Sequence, residues 1–121
     1  MGMQVFYARP TKKDDEQNAR EERMADEAAK KEAAQLRREA DLKMMAALMQ
    51  IESMGAEEKQ RCKATCERLT QRYMGCRSHK QVKAVFYDEK SSHEPETEEN
   101  KWFFAVNAEF AKRAHERLAV A

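Results

Sequence analysis

The fold is decided by residues 11–54, which read TKKDDEQNAREERMADEAAKKEAAQLRREADLKMMAALMQIESM and contain neither Gly nor Pro. Thr11 is a typical N-cap residue, and Asp14 and Asp15 follow it where the helix dipole favours anions. At 1.5 Å per residue, this single helix would be about 65 Å long. Such a rod is much longer than a 14.1 kDa globule is wide. The sequence therefore predicts an all-α, elongated fold.

The two halves of this helix differ in composition. Residues 12–32 contain one large apolar side chain, Met24, and we expect this half to be solvated or to lie on a polar partner. Residues 33–54 contain 13 apolar residues in 22. A helix that is apolar all round is normally covered on more than one side, so we expect this half to be buried. Its predicted partner contacts are Met44, Met45, Leu48 and Met49.

The remaining chain is predicted to form four further segments. Residues 1–10 form an extended arm whose Phe6 and Tyr7 either fray or dock on a partner. Gly55 is predicted to be the C-cap of the long helix and the turn to the next helix, unless one continuous helix passes through it. A second helix is expected at 56–80, an irregular acidic hinge at 81–100, and an amphipathic helix at 101–120.

The last helix carries four of the nine aromatic side chains of the chain. Trp102, Phe103 and Phe110 make it the most adhesive predicted surface, because aromatic residues dominate interface energetics. It either closes a small core against residues 44–54 or contacts another subunit, and we assign these three aromatic residues as partner contacts.

The chain is poor in residues that build a core. Leu, Ile, Val and Phe number 16 of 121 residues, about 13%, where roughly 20% marks a self-sufficient core. Lys plus Arg number 23 against 22 Asp plus Glu, so the chain is not a globally basic nucleic-acid binder. No apolar run approaches the roughly 20 residues of a membrane-spanning helix. The N-terminus has no apolar stretch of secretory type, so no cleaved leader is expected.

Charge is unevenly distributed along the chain. Residues 59–83 hold eight Lys or Arg against Glu67 alone, whereas residues 88–99 hold six acids against Lys90. Either the acidic segment folds back on the basic helix, or the basic face binds phosphates of anionic lipids or RNA. Few aromatic residues interleave with the cations, which disfavours nucleic acid. The predicted basic face comprises Arg61, Arg68, Arg72, Arg77 and Lys80.

Three cysteines lie on the predicted second helix. Cys62, Cys66 and Cys76 fall, with Leu69 and Tyr73, on a seam with the 4-3-4-3 spacing that packs against one other helix. As seam residues they behave as small hydrophobes. The alternative is a disulfide to another chain.

The Cys66-x9-Cys76 spacing resembles half of the twin Cys-x9-Cys motif of coiled-coil-helix proteins of the mitochondrial intermembrane space. The resemblance implies a helical hairpin, import without a cleaved leader and, for several members, a place as accessory subunit of a respiratory complex. Residues 77–121 contain no cysteine, so the two disulfides of that family cannot both form here. Cys62 and Cys66 likewise have the Cys-x3-Cys spacing of small import chaperones.

Patterns of catalytic and metal sites are missing from the sequence. The four soft ligands Cys62, Cys66, Cys76 and His79 are candidates, but more than about 20 Å of straight helix separates the first from the last, too far for one tetrahedral zinc. His93 and His115 are expected to be isolated, and nothing in the sequence pairs either of them with a nucleophile and an orienting carboxylate. We therefore expect no enzyme, no cofactor and no metal.

These features together predict a non-catalytic helical accessory subunit of a large assembly. A mitochondrial respiratory complex or ATP synthase is favoured, with the chain in the intermembrane space or associated with the inner membrane. Its partners would be other protein subunits, and anionic lipid headgroups are a further option. The alternatives are a cytoskeletal or axonemal filament-associated protein and a ribosome-associated protein that binds RNA through residues 59–83.

Overall fold

The computed structural model describes residues 12–120 of the chain. Within that range the fold is all-α, as predicted, with four helices and no strand. The predicted extended arm at 1–10, with Phe6 and Tyr7, lies outside the described residues, as does Thr11. The helices are α1 (Lys12–Glu52), α2 (Ala56–Met74), α3 (His79–His93) and α4 (Lys101–Val120).

The α1 helix matches the predicted long helix closely. Its 41 residues correspond to about 61 Å, twice the length of α4. The chain turns at Gly55, as expected, but Gly55 precedes α2 as its N-cap with extended φ and ψ of −71° and 172°. Its predicted role as the C-cap of α1 is therefore wrong.

The second helix ends earlier than predicted, at Met74 and not near residue 80. Gly75 caps it, and Ser78 then begins a new helix by accepting a hydrogen bond from the backbone N–H of Gln81 at 3.2 Å. The side chain of Gln81 in turn accepts from the backbone N–H of Arg77 at 2.6 Å. This reciprocal capping satisfies donors at the helix start and fixes the break.

A helix occupies most of the segment predicted to be an irregular acidic hinge. The expectation for 81–100 is wrong up to His93, and residues 94–100 form the connection to α4. Val82, Phe86 and Glu89 recur at helical spacing and are buried against the other helices. Tertiary burial thus outweighs the preference of Val and aromatic residues for strands.

The α4 helix is the centre of the bundle and packs against the other three helices. It runs antiparallel to α1, because Lys112 pairs with Asp41 near one end and Gln50 bonds to the carbonyls of Glu98 and Glu99 near the other. The core that α4 shares with its neighbours includes Leu36, Ala40, Leu69, Tyr73, Val82, Phe86, Phe103, Phe104 and Val106.

The two halves of α1 depart from the expected division. Residues 15–23 are exposed as expected, yet Ala29 in the first half is buried. In the second half only one face is buried, through Leu36, Ala40 and Ala47. The expectation that this half is covered all round is therefore wrong within the chain itself.

Candidate interaction surface

An exposed apolar face lies on the C-terminal half of α1. Leu42, Met45 and Met49 keep 81%, 70% and 67% of their surface accessible. Their spacing of three and four residues places them on one side of the helix. We call these three residues the outer stripe. Leu48 lies beside it and is also exposed, whereas Met44 is partly buried against the core.

The outer stripe exists because alanines do the packing on the opposite face of α1. Ala40 and Ala47 are almost fully buried, and their small side chains let α4 approach closely. The larger side chains of this segment are then left on the solvent side, where nothing in the described part of the chain covers them. Isolated exposed apolar residues are ordinary, but a contiguous set on one face is typical of an interaction site.

An open cleft adjoins the outer stripe where α1, α2 and α4 meet. It has a volume of about 670 Å³, and its walls include Met54, Arg61 and Trp102. The partly buried indole of Trp102 forms one wall. We call this feature the Trp102 cleft.

Gln50 joins the outer stripe to the Trp102 cleft. Its Nε2 donates to the backbone oxygens of Glu98 and Glu99 at 2.8 and 3.1 Å, which fixes the orientation of the amide. Its Oε1 is buried and accepts no hydrogen bond within the described part of the chain. A shallow depression lined by Met49, Gln50 and Ser53 connects the two features.

The rim of this region is acidic. Glu58 and Glu99 line the Trp102 cleft, and Glu52 follows the outer stripe along α1. None of these three exposed carboxylates forms an ion pair with another residue in the described range. By contrast, the nearby Lys43 and Lys101 already pair with Glu39 and Glu98 at 3.1 and 2.9 Å.

The aromatic residues of α4 contribute less to the surface than expected. Phe103 is only 2% exposed and packs in the core, so its prediction as a partner contact is wrong. It faces the interior because His93 stacks on its ring at 3.7 Å and Phe104 meets it edge-on. Trp102 and Phe110 are partly buried against the same core, so the C-terminal helix mainly closes the chain's own bundle.

Three of the five residues in the predicted basic face form ion pairs within the chain. Arg68 and Arg72 both donate to the buried carboxylate of Glu89, at 2.6 and 2.5 Å, and Arg72 also pairs with Asp88. Lys80 pairs with Glu22 of α1 at 2.8 Å. Arg61 and Arg77 form no ion pair with the residues described. Of the acids in 88–99, only Asp88 and Glu89 pair with the basic helix, whereas Glu96 and Glu98 pair with Lys43 and Lys101.

The three cysteines are free thiols. Cys62 and Cys76 are buried and Cys66 is partly buried, although Cys76 lies beyond the end of α2 and not on the helix itself. Burial raises the pKa of Cys66 to about 11, and the neighbouring Cys62 adds to this effect. A thiol with so high a pKa is protonated and unreactive at neutral pH.

Two buried polar contacts link α4 to its neighbours and were not foreseen. Tyr73 donates its hydroxyl hydrogen to Asn107 at 2.5 Å, and Asn107 donates to the carbonyl of Phe86. The Nδ1 atoms of His79 and His115 lie 2.8 Å apart, so the view of His115 as isolated is wrong. The only sequence signal was the presence of Asn and His at positions that the helical period turns inward.

No protein-family model, no curated protein and no solved structure matches this chain. The resemblance of Cys66 and Cys76 to the Cys-x9-Cys proteins therefore stays a prediction. None of the four helices in residues 12–120 has both the length and the hydropathy of a membrane span.

Proposed function

We propose that this chain is a non-catalytic helical subunit that bridges neighbouring proteins in a large assembly. The observation that carries the proposal is the outer stripe of Leu42, Met45 and Met49, exposed while the alanines behind it close the chain's own core. Large apolar side chains grouped on one face stabilise association when a partner removes them from water.

Methionine suits this role chemically. Its side chain is unbranched, flexible and polarisable, so it adapts to irregular partner surfaces. Two of the three residues in the outer stripe are methionines, and Met24 is also exposed on the same helix. Such a surface favours binding over catalysis, since it offers no acid, base or nucleophile.

The buried polar groups support a structural role because each of them is bonded to a partner on another helix. Glu89 is held by two arginines, Tyr73 by Asn107, and His79 by His115. Each of these groups joins two helices. They therefore act as links within the bundle.

The length of α1 supports bridging. A helix of 41 residues spans about 61 Å, whereas α4 covers only about half of that distance. The exposed residues 15–23 carry charges of both signs, of which Glu22 pairs with Lys80 of α3, and the outer stripe lies in the opposite half of the same helix. Two neighbours can thus be contacted by different ends of one rod.

The assembly that we favour is a mitochondrial respiratory complex or ATP synthase, with the chain in the intermembrane space or on the inner membrane. Support for this location comes only from the Cys66-x9-Cys76 spacing. Fractionation tests it directly: we expect the chain to sediment with inner membranes and to remain with a complex after mild detergent. Recovery with microtubules or filaments would support the cytoskeletal alternative in its place.

Site-specific cross-linking tests the binding role. A photoreactive amino acid at Met45 should form cross-links to a defined neighbour in intact cells, because this side chain lies at the proposed interface. The same amino acid at Glu67, an exposed position on α2, serves as the matched control. Equal cross-linking from both positions, or none from Met45, would contradict the proposal.

A further inference from the structure

The outer stripe and the Trp102 cleft form one continuous surface. The depression at Met49 shares Gln50, Ser53 and Glu98 with the cleft that holds Trp102. From Leu42 to Ser53 the distance along α1 is about 16 Å, or three helical turns. A docked helix that follows the stripe would therefore reach the cleft at one end.

The charges at the two parts of this surface differ. The outer stripe is apolar, whereas the exposed Glu58 and Glu99 line the cleft without ion pairs to the described residues. Arg61 is the one basic side chain that lines the cleft. The excess of carboxylates around the cleft is complementary to a cationic segment.

Trp102 is a second feature of the cleft that favours binding of a cation. Its indole lines the wall, and the face of an indole attracts the ammonium group of Lys or the guanidinium of Arg. An aromatic ring and carboxylates together fit a basic side chain better than an acidic or apolar one.

We propose that this surface binds an amphipathic helix of a partner protein, with apolar side chains on the outer stripe and a Lys or Arg in the Trp102 cleft. The inference rests on the proposed function, to which it adds the chemistry of the partner. A helix with apolar residues at positions i, i+3 and i+7 matches the spacing of the stripe. Its basic residues lie at the end that reaches Glu58 and Glu99.

Two synthetic peptides test the partner's charge. Both are amphipathic helices of about 18 residues without tryptophan, with the same Leu and Met face, and they differ in carrying either Lys or Glu at the flanking positions. Trp102 is the only tryptophan of the chain, so its fluorescence reports occupation of the cleft. With the full chain at low salt, we expect the Lys peptide to bind at least about tenfold more tightly than the Glu peptide.

Variants separate the two parts of the site. Met45→Glu should abolish binding of the Lys peptide. The double variant Glu58→Gln with Glu99→Gln should still bind it weakly, and its affinity for the Lys peptide should exceed that for the Glu peptide only about twofold. The control variant Glu27→Gln with Glu67→Gln removes two exposed carboxylates elsewhere and should leave the preference for the Lys peptide unchanged. Circular dichroism of each variant confirms that the helices remain.

Several results would overturn the inference. These are equal affinities for the two peptides, no binding of the Lys peptide up to millimolar concentration, or a preference that survives loss of Glu58 and Glu99. Light scattering that shows a dimer which Met45→Glu dissociates would assign the surface to a second copy. Vesicles of phosphatidylserine that bind the chain through Met45 would assign it to a membrane. If cross-linking at Met45 still finds a neighbour, the proposed function stands while this inference fails.

Discussion

His79 and His115 face each other through their Nδ1 atoms, 2.8 Å apart, and both imidazoles are buried. One Nδ1 carries a hydrogen and donates it to the other, so the contact requires that at least one ring be neutral. The pair joins the first residue of α3 to α4, and Asp26 of α1 lies near enough to favour the charged form of His115.

Stability should therefore depend on pH between neutrality and about pH 4. Burial, with a smaller contribution from His79, lowers the pKa of His115 from 6.5 to about 4. The unfolded chain binds more protons than the folded chain in this interval, so the free energy of unfolding falls as the pH falls. The loss should reach at most about 3 kcal/mol. Urea denaturation between pH 7.5 and 4.5 measures it.

The matched variants isolate the contribution of the pair. His115→Gln should flatten the dependence above pH 4.5, because the titrating ring is gone. His93→Gln leaves the pair intact, so its free energy of unfolding should fall with pH as in the unaltered chain. A slope of the same size in His115→Gln would contradict the assignment.

Enlarging an inward alanine of α1 should destabilise the bundle. Ala40 is fully buried at the contact with the core, so Ala40→Leu should lower the free energy of unfolding by about 1–3 kcal/mol through overpacking. Ala46 is exposed on the same helix, and Ala46→Leu should change it by less than about 0.5 kcal/mol. Thermal denaturation of both variants checks that Ala40 faces inward and Ala46 outward. Equal losses of stability would contradict this orientation of α1.

Removing the charge of Glu89 should weaken the α2–α3 junction. Desolvation raises the pKa of Glu89, but the hydrogen bonds and charges of Arg68 and Arg72 outweigh it and the net pKa is lowered. Its contribution is therefore lost as the pH falls below about 4.5, a lower interval than that of His115. Glu89→Gln should cost about 1–3 kcal/mol at pH 7. The exposed Glu67→Gln is the control, and a comparable loss there would show that the buried ion pair is not responsible.

The cysteines should react slowly in the folded chain. Cys62 and Cys76 are buried, and burial raises the pKa of Cys66 to about 11. Labelling with a chromogenic disulfide at pH 7.5 should thus be slow for all three thiols and become rapid in 6 M guanidinium. Mass spectrometry of the native protein should find three thiols, and a disulfide between any two of them would contradict the structure.

The sequence was informative for α1 and α4, where helix breakers are absent or apolar residues recur at the helical period. The absence of Gly and Pro from 11–54 was sufficient to predict α1, and the apolar period of α4 located residues 101–120. The break between α2 and α3 was missed because Gly75 and Ser78 interrupt a segment that otherwise looks continuous. The segment predicted to be a hinge is helical up to His93 because Val82 and Phe86 are buried against the other helices, which the local sequence does not show.

The partition of apolar residues between core and surface was harder to predict. Residues 44–49 are apolar around the whole helix, so periodicity does not tell whether Ala47 or Met49 faces inward. The fold resolves this by placing alanines against α4. Contacts such as His79 with His115 join residues 36 positions apart, and neither residue signals its partner locally.

The size of the native particle that contains the chain tests the proposed bridging role most directly. A tagged chain expressed from its own gene should sediment in a gradient as part of a complex far larger than 14.1 kDa. The double variant Leu42→Glu and Met45→Glu, which should fold normally, should shift to the position of the free chain. If the unaltered chain itself sediments as a free monomer, the outer stripe is not an assembly surface and the proposed bridging role is wrong.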